Sequence, residues 1–265
     1  MLIEKYFPID SSRYKLISRK FDILKKIRFG ALSRLFGVWT IFLSGSSVAY
    51  RLNDRWHYWE WSTIDIATVI SLALISVLEL KFKLKNINSR PLGNYLFIFI
   101  KGFSLFFLGM LLVDFSINGL IYGFIYTFFY VMLHLVWSLH IDAEKDNFPS
   151  KAESITTLTF SLAILAISLF VGFRYDDPIL STISGVYSPF VLVALVFPNA
   201  IRHYQRLRIY GVFIPVFFIG VHFPWFIILS LSLFWILRYY HFFAHGMVQP
   251  TFKVIDPSIQ KEKNG

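Results

Sequence analysis

The chain has 265 residues, 26 Lys and Arg against 16 Asp and Glu, no cysteine, and a 56% hydrophobic composition that includes 30 Phe. So apolar a composition excludes an ordinary soluble domain, and the missing cysteine excludes disulfides, Cys-based metal sites and Cys nucleophiles. The formal net charge of +10 does not point to nucleic acid, because the basic residues border apolar stretches, where topology and attraction to anionic lipid account for them.

In chain order, residues 1–30 read as a basic leader. Within Ser12–Arg28, residues Leu16, Ile17, Phe21, Leu24 and Ile27 recur at helical spacing among Arg19, Lys20, Lys25 and Lys26. That pattern predicts an amphipathic helix in the cytoplasmic membrane interface, or a leader that only sets topology. It is not the pattern of a cleavable signal peptide. Residues 31–245 read as one transmembrane domain and 246–265 as a cytoplasmic tail. Eight spans are expected, at about 31–50, 63–80, 92–113, 118–139, 155–173, 178–198, 209–221 and 223–240. The seventh is short, and Val221-His222-Phe223-Pro224 predicts a tight helical hairpin between it and the eighth.

Of the 26 Lys and Arg, 22 fall in the N-terminal segment through Arg34, in 81–90, in 145–151, in 202–208 and in the tail from Arg238. With eight spans all of these lie on one side. Arg51, Arg55 and Arg174 lie on the other, and Lys101 falls inside a span. The positive-inside rule then puts both termini in the cytoplasm. The expected fold is an all-α polytopic bundle, integral to a membrane, which is the inner cell membrane if the chain is bacterial. No internal repeat suggests the inverted halves of a transporter.

Three groups of polar residues are candidates for chemistry, since ionisable groups near the hydrocarbon are costly. In His140-Ile-Asp142-Ala-Glu144-Lys-Asp146-Asn147-Phe-Pro-Ser-Lys151, Asp142 and Asp146 are four apart and share a face on a continuing helix. Paired carboxylates suit Mg²⁺, with Lys151 available to a phosphate, although a solvated acidic loop has the same pattern. Arg202, His203 and Tyr204-Gln205-Arg206-Leu207-Arg208 form a basic loop able to cradle a headgroup or phosphate, or simply to carry topological charge. His241 and His245, four apart, with His134, His140 and His203, read as interfacial histidines rather than a di-iron set.

The segment Asp142-Ala-Glu144-Lys-Asp146 resembles the second aspartate-rich motif of the UbiA superfamily of intramembrane prenyltransferases. Asn88-Ser89-Arg90-Pro91-Leu92-Gly93-Asn94 is similar to the element into which that family's first motif runs. The resemblance implies transfer of an isoprenyl group from its diphosphate to a lipid-soluble acceptor. It implies Asp142, Glu144 and Asp146 as catalytic residues and Mg²⁺ on Asp142, Asp146 and Glu79. Lys83, Asn88, Arg90 and Lys151 would touch substrate, and the chain's aromatic residues would line a lipid-open cavity. The chain departs from the family pattern in two ways. Lys83 stands where the first motif has its second aspartate, and two expected spans, not four, separate the motifs. Lys83-x₆-Arg90-Pro91 also resembles the opening element of the type 2 lipid phosphatases, but no Pro-Ser-Gly-His follows. The second reading is a non-catalytic membrane protein that binds lipid or acts as a scaffold, and Lys83 favours it.

Overall fold

A computed structural model describes residues 2–26, 29–53, 61–81, 91–139, 150–198 and 200–246. Among them all regular structure is helical. α1 (Leu2–Tyr6) and α2 (Ser12–Lys26) open the chain, and a 3-10 stretch over Phe29–Arg34 leads into α3 (Leu35–Leu52). There follow α4 (Thr63–Lys81), α5 (Pro91–Leu111), α6 (Ile117–Ser138), α7 (Lys151–Arg174), α8 (Pro178–Val196), α9 (Ile201–Ile219) and α10 (Pro224–His245). The helix starts follow local chemistry. Ser150 accepts a hydrogen bond from the Glu153 N–H at 3.1 Å in a Ser-x-x-Glu cap, and Asp177 accepts one from the Leu180 N–H at 3.0 Å just before Pro178. Prolines also begin α5 and α10, where a missing N–H costs nothing.

Among the described residues seven helices are long and apolar enough to cross a membrane, consistent with an integral, multi-pass membrane protein. α4 shows why water is the wrong solvent: Ile66, Ile70, Leu74 and Val77 recur along an exposed stripe. α9 is not among the seven. At 19 residues it equals α4 and α8 in length, but Arg202, Arg206 and Arg208 occupy its first turns. This corrects the sequence expectation for this region. Residues 202–208 are helical rather than a loop, and the short seventh span is the later part of α9. The expected hairpin is present, with α9 ending at Ile219 and α10 beginning at Pro224.

The chain forms two compact units, one of residues 34–230 and one of residues 1–33 with 231–265. α10 contributes its first turns to the former and the rest to the latter. In the smaller unit, Tyr14, Phe242 and Phe243 form a buried core on which Ile3, Phe7, Ile17 and Phe21 pack. The Tyr14 hydroxyl donates to the Phe242 carbonyl at 2.9 Å. Part of the leader's apolar stripe is therefore covered by α10 instead of by membrane interface, while Leu16 remains 62% exposed.

In the larger unit, neighbouring residues fix the helix directions. Tyr130 lies beside Gly37 and Gly102, and Met110 and Leu52 lie beside Gly119, so α6 runs opposite to both α3 and α5. α9 also opposes α6 and runs along α3: Phe36 faces Phe213 at 6.3 Å between ring centroids, and the Ser47 hydroxyl meets His222 Nδ1 at 2.6 Å. α9 thus traverses the whole bundle. Arg34, Lys81, Lys151, Arg202, Arg206 and Arg208 gather at one end, here the basic end, whereas Arg51 and Arg174 sit at the other.

Small residues bring α3 and α5 together. A Cβ on Gly45 would lie 1.9 Å from the Phe106 carbonyl oxygen, and one on Gly109 would lie 1.9 Å from that of Phe42. Ser46 adds a hydrogen bond from its hydroxyl to the Gly109 carbonyl at 2.8 Å. In lipid there is no hydrophobic drive between helices, so such close backbone packing and hydrogen bonding supply much of the attraction.

Candidate functional site

α3, α6, α8 and α9 surround an apolar cavity of about 40 Å³. Its wall runs along α3 from Phe36 to Ser44, about 12 Å at the helical rise. Phe129, Tyr130, Ile183 and Pro215 complete much of it. Three hydroxyls in the wall are spent on hydrogen bonds within the protein. Thr40 donates to the Phe36 carbonyl at 2.6 Å, Ser44 to the Thr40 carbonyl at 2.7 Å, and Tyr126 to Asp177 at 3.2 Å. What remains facing inward is carbon. Gly37, Thr40, Leu133 and Val212 are only partly buried, so the cavity opens between helices. In α9, Pro215 has no N–H for the Gly211 carbonyl, and both residues line the cavity, which loosens the helix at that point.

The end opposite the basic one is closed by a buried polar clasp. Arg51 on α3 reaches the α7–α8 turn, donating to Asp177 Oδ2 and to the Asp176 carbonyl, both at 3.0 Å. Its guanidinium lies 4.5 Å above the Tyr122 ring, and the Tyr122 hydroxyl donates to the Tyr175 carbonyl at 3.0 Å. Asp177 is 1% exposed. Burial pushes its carboxyl up from the usual range, against the opposing pull of Arg51 and of the Leu180 N–H. The turn needs Asp176 at φ 53°, a left-handed conformation that Asp tolerates better than most residues. Sequence reasoning left Arg51 as a charge between spans and did not single out Asp177. The Asp-Pro start of α8 was the signal for the cap, but nothing in the sequence joined it to an arginine 126 positions away.

Toward the basic end lies a second ion pair, Lys101 Nζ to Glu79 Oε2 at 2.7 Å, linking α5 to α4. Lys101 stands midway along α5, and partnering it with a carboxylate lowers the cost of a charge at that depth. On α6, Tyr130 lies close enough to feel Glu79, and His134 close enough to feel both charges. His134 Nδ1 is 3.0 Å from the Tyr130 carbonyl, one helical turn back.

The residues singled out from sequence divide sharply. Lys83, Asn88, Arg90, Asp142, Glu144 and Asp146 lie outside the described residues, as does His140. Lys151 is exposed at the first turn of α7. Glu79, the remaining metal candidate, is held by the Lys101 ammonium. Among the described residues no group of three or more His, Asp or Glu gathers, so these residues do not by themselves compose a Mg²⁺ site. His241 and His245 have ring centroids 6.0 Å apart in the smaller unit. The described segments that flank residues 82–90 and 140–149 do share an end. α4 ends beside Lys101, α6 ends at Ser138, and Tyr130 on α6 abuts Gly102 on α5. No family model, curated protein or solved structure matches the chain.

Proposed function

We propose that this protein binds the hydrocarbon part of a lipid within its bundle, with the lipid's polar end at the basic end of α3, α6 and α9. The observation that carries this reading is the cavity wall. Its Thr40, Ser44 and Tyr126 hydroxyls are already satisfied by the protein and its surface is almost wholly carbon, so the wall welcomes methylene groups and offers water little. The clasp at Arg51 and Asp177 seals the far end, which leaves the basic end and the opening between helices as ways in. At 40 Å³ the cavity is narrow, so occupancy requires side chains such as Leu133 and Val212 to move apart, a population shift that binding drives. Lipid extracts added to the purified chain in neutral detergent should yield lipid adducts by native mass spectrometry. Val212→Trp, which fills the cavity from α9, should lose them; adducts retained in that variant would sink the reading.

Prenyl transfer to a lipid-soluble acceptor is the second reading, favoured by the shared end of the segments flanking 82–90 and 140–149. In it Asp142 and Asp146 would hold Mg²⁺, which when bound supplies charge stabilisation to a diphosphate. The chain's own part is to sheath the isoprenyl tail in carbon, exclude water and present Lys151 near the phosphates. Isoprenyl diphosphate should then bind only with Mg²⁺, and Asp142→Asn should weaken that binding by about 2–4 kcal/mol. Mg²⁺-independent binding unchanged by Asp142→Asn leaves the lipid-binding reading alone standing.

Both readings put the basic end in the cytoplasm, following the distribution of Lys and Arg. Reporter domains inserted at Asn53 and at Asn147 should report opposite compartments, with Asn147 cytoplasmic. The same compartment for both would overturn the orientation.

A further inference from the structure

α9 carries a continuous stripe at spacings of three and four: Tyr204, Arg208, Gly211, Pro215 and Ile219. The last three line the cavity. Arg208 and Tyr204 extend the same face one and two turns further toward the basic end. Their chemistry changes abruptly from that of the wall. Arg208 is half-buried and, among the described residues, bonds to carbonyls at the end of α6, with Nε 3.5 Å from Val136 O and Nη2 3.3 Å from Trp137 O and in contact with Leu139 O. Its guanidinium lies 5.4 Å from the Trp137 ring centroid. Among the described residues no bond engages Nη1. The ion pairs found among the described residues are Arg51 with Asp177 and Lys101 with Glu79, so none of those carboxylates answers Arg208.

Tyr204 supplies the independent observation. It is 1% exposed, yet its hydroxyl has no hydrogen-bond partner among the described residues. Burying a hydroxyl without a partner is unfavourable, and native structures rarely tolerate it without a reason. Among the described residues the arrangement is a cation with a spare pair of donors and an unspent O–H, on one helix face, directly below an apolar cavity.

We infer that Arg208 and Tyr204 form a seat for the anionic phosphate head of an amphiphile whose chain occupies the cavity. Guanidinium suits phosphate because its planar donors match two oxygens at once, and a phenol adds a third donor. Lining the two residues up with the cavity fixes the ligand's polarity along the bundle, head at the basic end and chain toward the Arg51–Asp177 clasp. The inference rests on the lipid-chain reading of the cavity. It also specifies that reading, since a neutral lipid of equal chain length lacks the group these donors seek. A phospholipid headgroup and the diphosphate of a water-delivered isoprenyl compound present the same chemistry.

Equilibrium binding of dodecyl phosphate and dodecanol to the full-length chain in neutral detergent separates seat from cavity. Dodecyl phosphate should bind about tenfold more tightly than dodecanol. Tyr204→Phe, which removes a single oxygen from a filled position, should erase several-fold of that preference and leave dodecanol unchanged. Arg208→Lys should keep the charge but lose most of the preference. Equal affinity for the two amphiphiles, with dodecanol binding still abolished by Val212→Trp, would overturn the seat while the cavity reading stands. Parallel losses for both amphiphiles in Tyr204→Phe would assign Tyr204 to packing and also overturn it. Failure of both amphiphiles to bind would remove both readings. Competition by phosphatidic acid in mixed micelles, against competition by farnesyl diphosphate, then distinguishes a membrane lipid from a soluble isoprenyl source.

Discussion

Gly45→Val should lose at least about 3 kcal/mol of stability, the upper range for overpacking, and about 10 °C in Tm. The reason is a backbone, not a side chain. The added Cβ would stand 1.9 Å from the Phe106 carbonyl oxygen and 2.9 Å from the Met110 nitrogen, and neither can rotate away. α3 and α5 would have to separate, breaking the Ser46–Gly109 hydrogen bond and exposing Phe42 and Met110, which are 1% and 0% exposed. Gly185→Ala is the matched control. Its Cβ would meet only Leu169 Cδ1 at 3.7 Å, an ordinary contact, so its melting temperature should stay close to that of the parent. Thermal unfolding in detergent, followed by tryptophan fluorescence, compares the two directly. A Gly45→Val protein as stable as Gly185→Ala would mean that α3 and α5 do not pack as described.

Asp177→Ala should cost about 3–5 kcal/mol, the range for removing one partner of a buried ion pair. Three effects coincide at this carboxylate. It caps α8 through the Leu180 N–H, accepts the Tyr126 hydroxyl and neutralises Arg51, which is itself only 19% exposed. Its loss strands a guanidinium against Tyr122. Asp177→Asn should cost less, since the amide oxygen can still cap the helix, and Tyr126→Phe should cost only about 1 kcal/mol, one hydrogen bond. That ordering, measured as melting temperatures of the purified variants, tests the clasp. Equal effects from all three would mean that the charge is unimportant there.

These features differ in how legible they were in the sequence. Most spans were plain because hydrocarbon demands length and apolarity together, and α4, α5, α6, α7 and α8 have both. α9 was half-hidden: Arg202, Arg206 and Arg208 made its first turns look like a loop, although arginines at a helix end can reach toward water or, as Arg208 does, toward the carbonyls of a neighbouring helix. The leader's apolar stripe was visible, but a stripe does not name its partner, and Phe243 could be found only in three dimensions. Gly45 among Ser44, Ser46 and Ser47 was a readable sign of close approach, yet the sequence could not say which helix would approach. Pairings such as Arg51 with Asp177 and Lys101 with Glu79 lie beyond local pattern because the topology creates them. The acidic motif at 142–146 was the sharpest sequence signal. What the described residues add is the neighbourhood of its flanks: an apolar cavity, and at its basic end Arg208 with Tyr204.

Photolabelling with a fatty-chain probe carrying a diazirine at its methyl end tests the central claim, that a lipid chain lies among α3, α6, α8 and α9. With the probe bound to the purified full-length chain, peptide mapping should find adducts on cavity residues such as Thr40, Ile183 and Pro215, and Val212→Trp should abolish them. Adducts confined to outward positions such as Ile70, Leu74 and Phe170, unchanged by Val212→Trp, would contradict the account.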